Sequence, residues 1–278
     1  MTAEVLDEPR ARRRRADIRR VPSVSLRSAS RMWQRNAILF RRGWKRYALP
    51  NFLEPVLYLL AIGIGIGVYI GDEVNGVPYV DFMAPGLAAS SAMYGAIFET
   101  TYNVFVKLRF AVMYDAVITT PLEPEDVAMG ELMWAVTRSA IYGGTFLLVL
   151  SLLGHARSPL TLLGFVMLPL IGLAMGLLGM IFTAIIVDID RYTYFFNLFV
   201  IPLFLFSGIF FPVENLPDWA EWLAWLTPLY HGVAMSRALV LYGDLASALL
   251  HALWLVVFSA ILIPPALNLF RRRLVGAS

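Results

Sequence analysis

The chain contains no cysteine, which excludes disulfides, thiolate metal sites and cysteine nucleophiles while leaving its compartment open. Histidine is nearly as scarce: His155, His231 and His251 lie far apart, without the spacing of metal ligands. Charge is thin as well. Only 15% of residues are Asp, Glu, Lys or Arg, against about a quarter in soluble domains. No pair of acids and no Ser–His–Asp arrangement converges on a site, so no catalytic residue and no metal ligand is assigned. Hydrophobic residues make up 59% and the mean hydropathy is +0.67. Such a composition belongs in a lipid bilayer.

Apolar runs of about 20 residues, the length that crosses the hydrocarbon core, predict six spans. They cover Phe52–Ile70, Val80–Val106, Glu131–Leu153, Leu160–Val187, Tyr192–Phe211 and Ala246–Phe270. An even number places both termini on one side. Most of the 23 Lys and Arg precede Asn51; Lys107, Arg109, Arg191 and Arg271–Arg273 share their face, while only Arg157 and Arg237 fall opposite. The positive-inside rule makes the rich face cytoplasmic. The expected fold is all-α and integral to the inner membrane. Residues 1–51 form a basic tail and an amphipathic interfacial helix, and residues 52–278 form the six-span domain.

The first 50 residues do not read as a signal peptide, because Arg10–Arg20 is long and no short apolar region with a cleavage site follows. Lipid contact explains Arg12–Arg15 better than nucleic acid does. From Val24 to Ala48, Leu26, Met32, Trp33, Ile38, Leu39, Phe40, Trp44 and Tyr47 alternate with basic residues, as in a helix lying in the membrane interface. Pro50 and Pro55 are expected to bracket a turn into the first span.

Two stretches depart from plain spans. Lys107–Trp134 is long for a connector and keeps Phe110, Val112, Met113, Val117 and Ile118, apolar positions suited to docking a partner. Asn197–His231 breaks at Ser207-Gly208 and Pro212, then sets Trp219, Trp222 and Trp225 at three-residue spacing. Backbone that leaves a helix near hydrocarbon must satisfy its own polar groups, and tryptophan favours the headgroup layer. A short re-entrant helix near one face is expected. Within the spans, Glu99 and Arg138 each sit about 10 Å in from the basic face, where an isolated charge is costly, so a structural ion pair is expected.

Several motifs carry a family likeness: Thr120-Pro121-Leu122 with Asp126, Gly130-Glu131 and Trp134; Phe206-Ser207-Gly208 with Phe211-Pro212-Val213, Leu216-Pro217, Pro228-Leu229 and His231; and Met83-Ala84-Pro85-Gly86 with Phe98-Glu99-Thr100. On these the chain resembles the membrane subunits of type-2 ABC exporters, nearest those that export lipo-oligosaccharide nodulation factors and actinobacterial drug-export permeases. The resemblance implies a half-transporter that associates with two copies of a separate ABC ATPase and pairs as a homodimer. ATP and Mg would be held by the ATPase, consistent with the absence of a GxxxxGK[ST] loop here. It also implies a coupling helix within Lys107–Glu131, with Arg109, Tyr114, Asp115, Thr120, Pro121, Leu122, Gly130 and Glu131 as ATPase-coupling residues.

Phe195, Phe199, Phe206, Phe210, Phe211, Pro212, Leu216 and Trp219 are candidates for a greasy path and outer gate for an amphiphilic cargo. Plain helix packing is an equal explanation for any one of them. The expected function is export of a lipo-oligosaccharide, glycolipid or polysaccharide-lipid, with membrane lipid as a further partner. A multidrug or antibiotic exporter and a non-transporting membrane anchor are the alternatives. A lipid-acting enzyme would need clustered polar residues that the sequence does not offer.

Overall fold

The computed structural model describes residues 24–61, 65, 73–74, 76–109 and 122–276. Helix α1, Leu26–Leu60, starts where the Ser25 hydroxyl accepts a hydrogen bond from the Ser28 amide. It is continuous for 35 residues. The turn expected at Pro50 and Pro55 is therefore absent, and the expected division at residue 51 falls inside a helix. Of the expected span Phe52–Ile70, residues 52–60 continue α1, while 62–64 and 66–70, and with them most of Gly63–Gly67, lie outside the described residues.

A small hairpin pairs β1, Glu73–Val74, with β2, Val77–Pro78, around Gly76 at φ 75°. Helix α2, Tyr79–Phe98, follows and is the most enclosed element, buried along nearly its whole length. It passes through a π turn, Glu99–Asn103, into α3, Val104–Arg109. The π turn frees main-chain carbonyls inside the bundle, and hydroxyls from other helices reach them. Thr183 donates to Thr100 O at 2.8 Å, and Tyr192 donates to Thr101 O at 3.3 Å.

Helix α4, Pro124–Leu152, opens with a proline in its first turn and a capping box between Glu123 and Asp126, the arrangement that satisfies orphan amides. Helix α5 covers Thr161–Ile185. The next run is α6, Arg191–Phe195, a π turn at Phe196–Val200, and α7, Ile201–Phe206. Two short helices follow, α8, Asp218–Trp225, and α9, Pro228–Arg237. A π turn at Ala238–Tyr242 leads to α10, Leu245–Gly276.

Among the described residues, three helices are long and apolar enough to cross a membrane: Pro124–Leu152, Thr161–Ile185 and Leu245–Val275. Arg191–Phe206 is apolar but shorter, because the chain breaks at Ser207 rather than at the expected Phe211. Ser207 is buried and Gly208 takes φ 83°, a conformation open to glycine.

Small residues set the spacing of the bundle. A Cβ on Gly143 would lie 2.7 Å from the Ala92 Cβ, one on Gly232 would lie 2.7 Å from Ile171, and one on Gly130 would lie 2.5 Å from the Met32 Cβ. Helices α4 and α2, α9 and α5, and α4 and α1 thus approach at backbone distance, as small residues permit in membrane bundles. Lys107, Arg109, Arg191 and Arg271 mark one end of the molecule, called the basic end here. Tyr79, Ser158, Gly208 and Gly243 mark the opposite end, where the Tyr79 hydroxyl donates to Phe210 O at 3.1 Å and the amides of Arg157 and Ser158 donate to Val240 O.

Candidate functional site: an ion cluster and a helical hairpin

The π turn sets Glu99, Asn103 and Lys107 along one face near the basic end. Asn103 donates to Glu99 at 2.9 Å, and Lys107 Nζ lies 3.3 Å from Glu99 and 2.7 Å from Glu131. Glu131 is fully buried and also accepts from Asn36 of α1 at 3.0 Å. Arg138 Nε lies 3.6 Å from Glu99, its Nη2 donates to the Tyr142 hydroxyl at 2.8 Å, and its guanidinium carbon sits 4.7 Å over the ring of Phe40. Two carboxylates and two cations balance, and α1, α2–α3 and α4 are tied together through them. A cavity of about 300 Å³ opens beside the cluster, bounded by Asn36, Phe40, Glu99, Asn103, Lys107 and Arg138. Equal depth brought Glu99 and Arg138 into consideration from sequence; Lys107 and Asn36 were not singled out for it.

A second pair of contacts anchors the same end. Asp126 accepts from the Ser25 amide at 2.7 Å while capping its own helix, so one carboxylate holds the starts of α1 and α4. Buried Glu125 pairs with Arg271 of α10 at 3.1 Å.

Of the expected coupling residues, Tyr114, Asp115, Thr120 and Pro121 lie outside the described residues. Arg109 ends α3 and donates to Val187 O at 3.5 Å, and Leu122 sits just before α4. Gly130 and Glu131 are both buried within this chain, one against Met32 and the other against Lys107 and Asn36. Neither presents a surface to a partner; what they hold is α1 and α3.

At the opposite end α8 and α9 form a hairpin that dips into the bundle. Helix α8 lies against the α6–α7 run: Trp219, Ala220, Leu223, Ala224 and Thr227 share a groove with Leu198, Phe199, Leu203 and Phe206. Helix α9 returns with Gly232 against Ile171, roughly 15 Å inside the start of α5, and ends with Arg237 over the ring of Phe82 at 3.8 Å. The short helix expected to be re-entrant is α8, and it is one half of a two-helix hairpin. The returning half is a core element absent from the expected architecture.

Buried His231 braces the turn between α8 and α9. Its Nε2 is 2.8 Å from Trp225 O, its Nδ1 is 2.9 Å from His251 Nδ1, and its ring stacks on Trp254 at 3.9 Å. A carbonyl can only accept, so His231 carries its proton on Nε2. Arg237 donates to Phe82 O at 3.2 Å and Gly208 O at 2.8 Å, satisfying the bend before the hairpin. At the same end Asp81 receives both His155, at 2.6 Å, and Arg157, at 2.7 Å, which pins the α4–α5 connection to α2.

Between α7 and α8 lies an almost wholly apolar groove of about 460 Å³. Phe199, Phe206 and Trp219 line it, with Leu203, Leu223 and Ala224. The other residues expected on the path are elsewhere. Phe195 is buried on Phe182 with centroids 4.2 Å apart, Phe210 packs edge-on to Phe204 at 5.1 Å, and Pro212 faces a different cavity. Phe211 and Leu216 are half-buried and outside the groove.

Comparison with known proteins now bears on this arrangement. Residues 28–241 match the family described as ABC-2 type transporter. Nodulation protein J of Sinorhizobium fredii is 33% identical over 245 residues, covering 88% of this chain and 93% of its own length. The chain belongs to the ABC-2 type transporter family. Nodulation protein J of Rhizobium leguminosarum bv. trifolii is 34% identical over 248 residues, with 88% and 93% covered. A probable multidrug ABC transporter permease of Escherichia coli is 24% identical over 201 residues, 71% of this chain and 54% of that one. As an ABC-2 permease the chain is a transport subunit and not itself a catalyst. Among its described residues no group of three or more His, Asp and Glu could hold a metal ion.

Proposed function

We propose that this ABC-2 permease is half of an ATP-driven exporter that moves an amphiphilic, lipid-linked saccharide outward across the inner membrane. Two copies pair, and each docks one ABC ATPase through the segment between α3 and α4. Both termini face the cytoplasm, on the side of the basic end, and six spans result when the stretch after α1 completes the first. The hairpin α8–α9 is then re-entrant from the outer face.

The observation that carries this reading is the apolar groove between α7 and α8. It is open, greasy along its length and walled on one side by the hairpin, so it suits an alkyl chain better than a small polar solute. The ion cluster supplies the transmission. Lys107 stands at the end of the helix leading to the ATPase-facing segment, and through Glu131 it grips α1 and α4. A push on that segment is passed to α1 as a rigid movement.

The test uses inside-out vesicles containing the permease and its co-expressed ATPase. A fluorescent lipo-oligosaccharide should accumulate only with hydrolysable ATP, and Phe199→Asp should abolish the accumulation while ATPase association persists. Accumulation indifferent to ATP, or indifferent to a charge in the groove, would overturn the reading. The E. coli relative's name supports a second cargo class. ATP-dependent uptake of ethidium, with no uptake of the lipo-oligosaccharide, would favour the multidrug reading.

A further inference from the structure

Beside the hairpin, away from the groove, a second cavity of about 310 Å³ opens at the same end as Gly208 and Gly243. Its floor is apolar, formed by Phe82, Val233 and Ala238. Its polar lining is Glu214, Tyr230, Tyr242, Asp244, Ser247 and His251. Arg237 is the one cationic residue in the wall, and its Nε and Nη2 are committed to the carbonyls of Phe82 and Gly208.

The hydrogen-bond order across the histidines decides what the cavity offers. His231 donates from Nε2 to Trp225 O, so in the neutral pair its Nδ1 is bare and accepts from His251 Nδ1. His251 then holds its only proton on Nδ1, and its Nε2 is left as an acceptor on the residue that lines the cavity. The carboxylates of Glu214 and Asp244, the latter with one oxygen taken by the Ser247 amide, add further acceptors, and the hydroxyls of Ser207, Tyr230, Tyr242 and Ser247 can donate or accept. Anions are opposed by those carboxylates, and the buried guanidinium of Arg237 opposes a cation. A neutral group carrying several hydroxyl donors, with an apolar face for Tyr230 and Val233, meets every feature.

We propose that this cavity binds a neutral, hydroxyl-rich ring, such as one sugar unit of a saccharide. The inference rests on the export reading only for what delivers the ring; the binding itself needs neither ATP nor an ATPase. Its failure would therefore leave the export reading standing.

The experiment is saturation-transfer NMR on the full chain in lipid nanodiscs with maltotriose as probe. Spermidine and inorganic phosphate serve as cationic and anionic competitors. Wild type should transfer saturation to the sugar ring protons, and neither competitor should displace it. Glu214→Ala, at an exposed rim position, and His251→Leu should each weaken binding about tenfold. Monodisperse elution would show that both variants are folded, and the rim variant tests the site even where the inner one fails to fold. No transfer in wild type, equal transfer in the folded variants, or displacement by spermidine or phosphate would overturn the proposal.

Discussion

Lys107 stands between two carboxylates, and that placement makes the three residues unequal. Removing Glu131 leaves Lys107 still paired with Glu99 at 3.3 Å, whereas removing Lys107 takes away the cation 2.7 Å from the buried Glu131 carboxylate. Breaking a buried ion pair from one side costs about 3–5 kcal/mol. Lys107→Met is therefore expected to lower the unfolding midpoint in detergent more than Glu131→Gln does. The double variant should recover most of the loss, because the amide needs no counter-charge. Additive losses in a denaturation series would refute the coupling. Gly130 gives a steric counterpart. An alanine there meets the Met32 side chain at 2.5 Å and the Ala29 carbonyl at 2.7 Å, and the second obstacle is backbone. Gly130→Ala should cost about 1–3 kcal/mol, and trimming Met32 to Ala should restore only part of it. Full restoration in the same midpoint assay would mean that the backbone contact is immaterial.

At the level of elements, the hairpin α8–α9 separates what sequence pattern reveals from what it hides. The Trp219, Trp222 and Trp225 spacing was readable as a helix that likes the interface, and all three are exposed on the structure's outside. Depth was not readable. It comes from Gly232 fitting against Ile171, a contact between residues far apart in the chain, and from His231 satisfying Trp225 O across the turn. The run Pro228–Arg237 carries the polar residues His231, Ser236 and Arg237, and nothing in its pattern tells that most of the helix is buried. Prolines misled in the other direction. Pro50 and Pro55 read as breakers, but α1 runs on past both. The π turn at Glu99 leaves no mark in composition at all. By contrast, α4, α5 and α10 were legible because length and hydropathy alone identify them. The hairpin's depth can be measured directly, since the native chain has no cysteine to remove. Asn215→Cys should react rapidly with a membrane-impermeant maleimide added outside. Leu226→Cys, at the α8–α9 turn, is exposed on the chain's own surface but lies in lipid if the hairpin is re-entrant. It should react at least about tenfold more slowly until detergent is added, because the reagent must leave water to reach it. Equal rates would put the whole hairpin at the surface.

For the whole molecule, the two ends do different work, and the connection between them is α2. At the basic end the ion cluster binds α2–α3 to α1 and α4; at the other, α2 carries Phe82 under Arg237 and Gly86 against Ile209, at the root of the hairpin. Under the proposed function, a displacement of α3 by a docked ATPase would pass along this one enclosed helix to the elements that wall the groove. Coupling and assembly can then be told apart. The double variant Lys107→Met, Glu131→Gln keeps the cluster neutral and the fold intact but removes the ionic grip of α3 on α4. It should co-purify with the ATPase in unaltered proportion and leave its hydrolysis rate within about twofold of wild type. Cargo transport per ATP hydrolysed should fall about tenfold, the loss expected when roughly 1.4 kcal/mol of linkage between two states is removed. The readout is the ratio of accumulated cargo to released phosphate in the same vesicles. A ratio equal to wild type would mean that force reaches α1 by another route, and loss of the ATPase itself would mean that the cluster shapes the docking surface instead of transmitting from it.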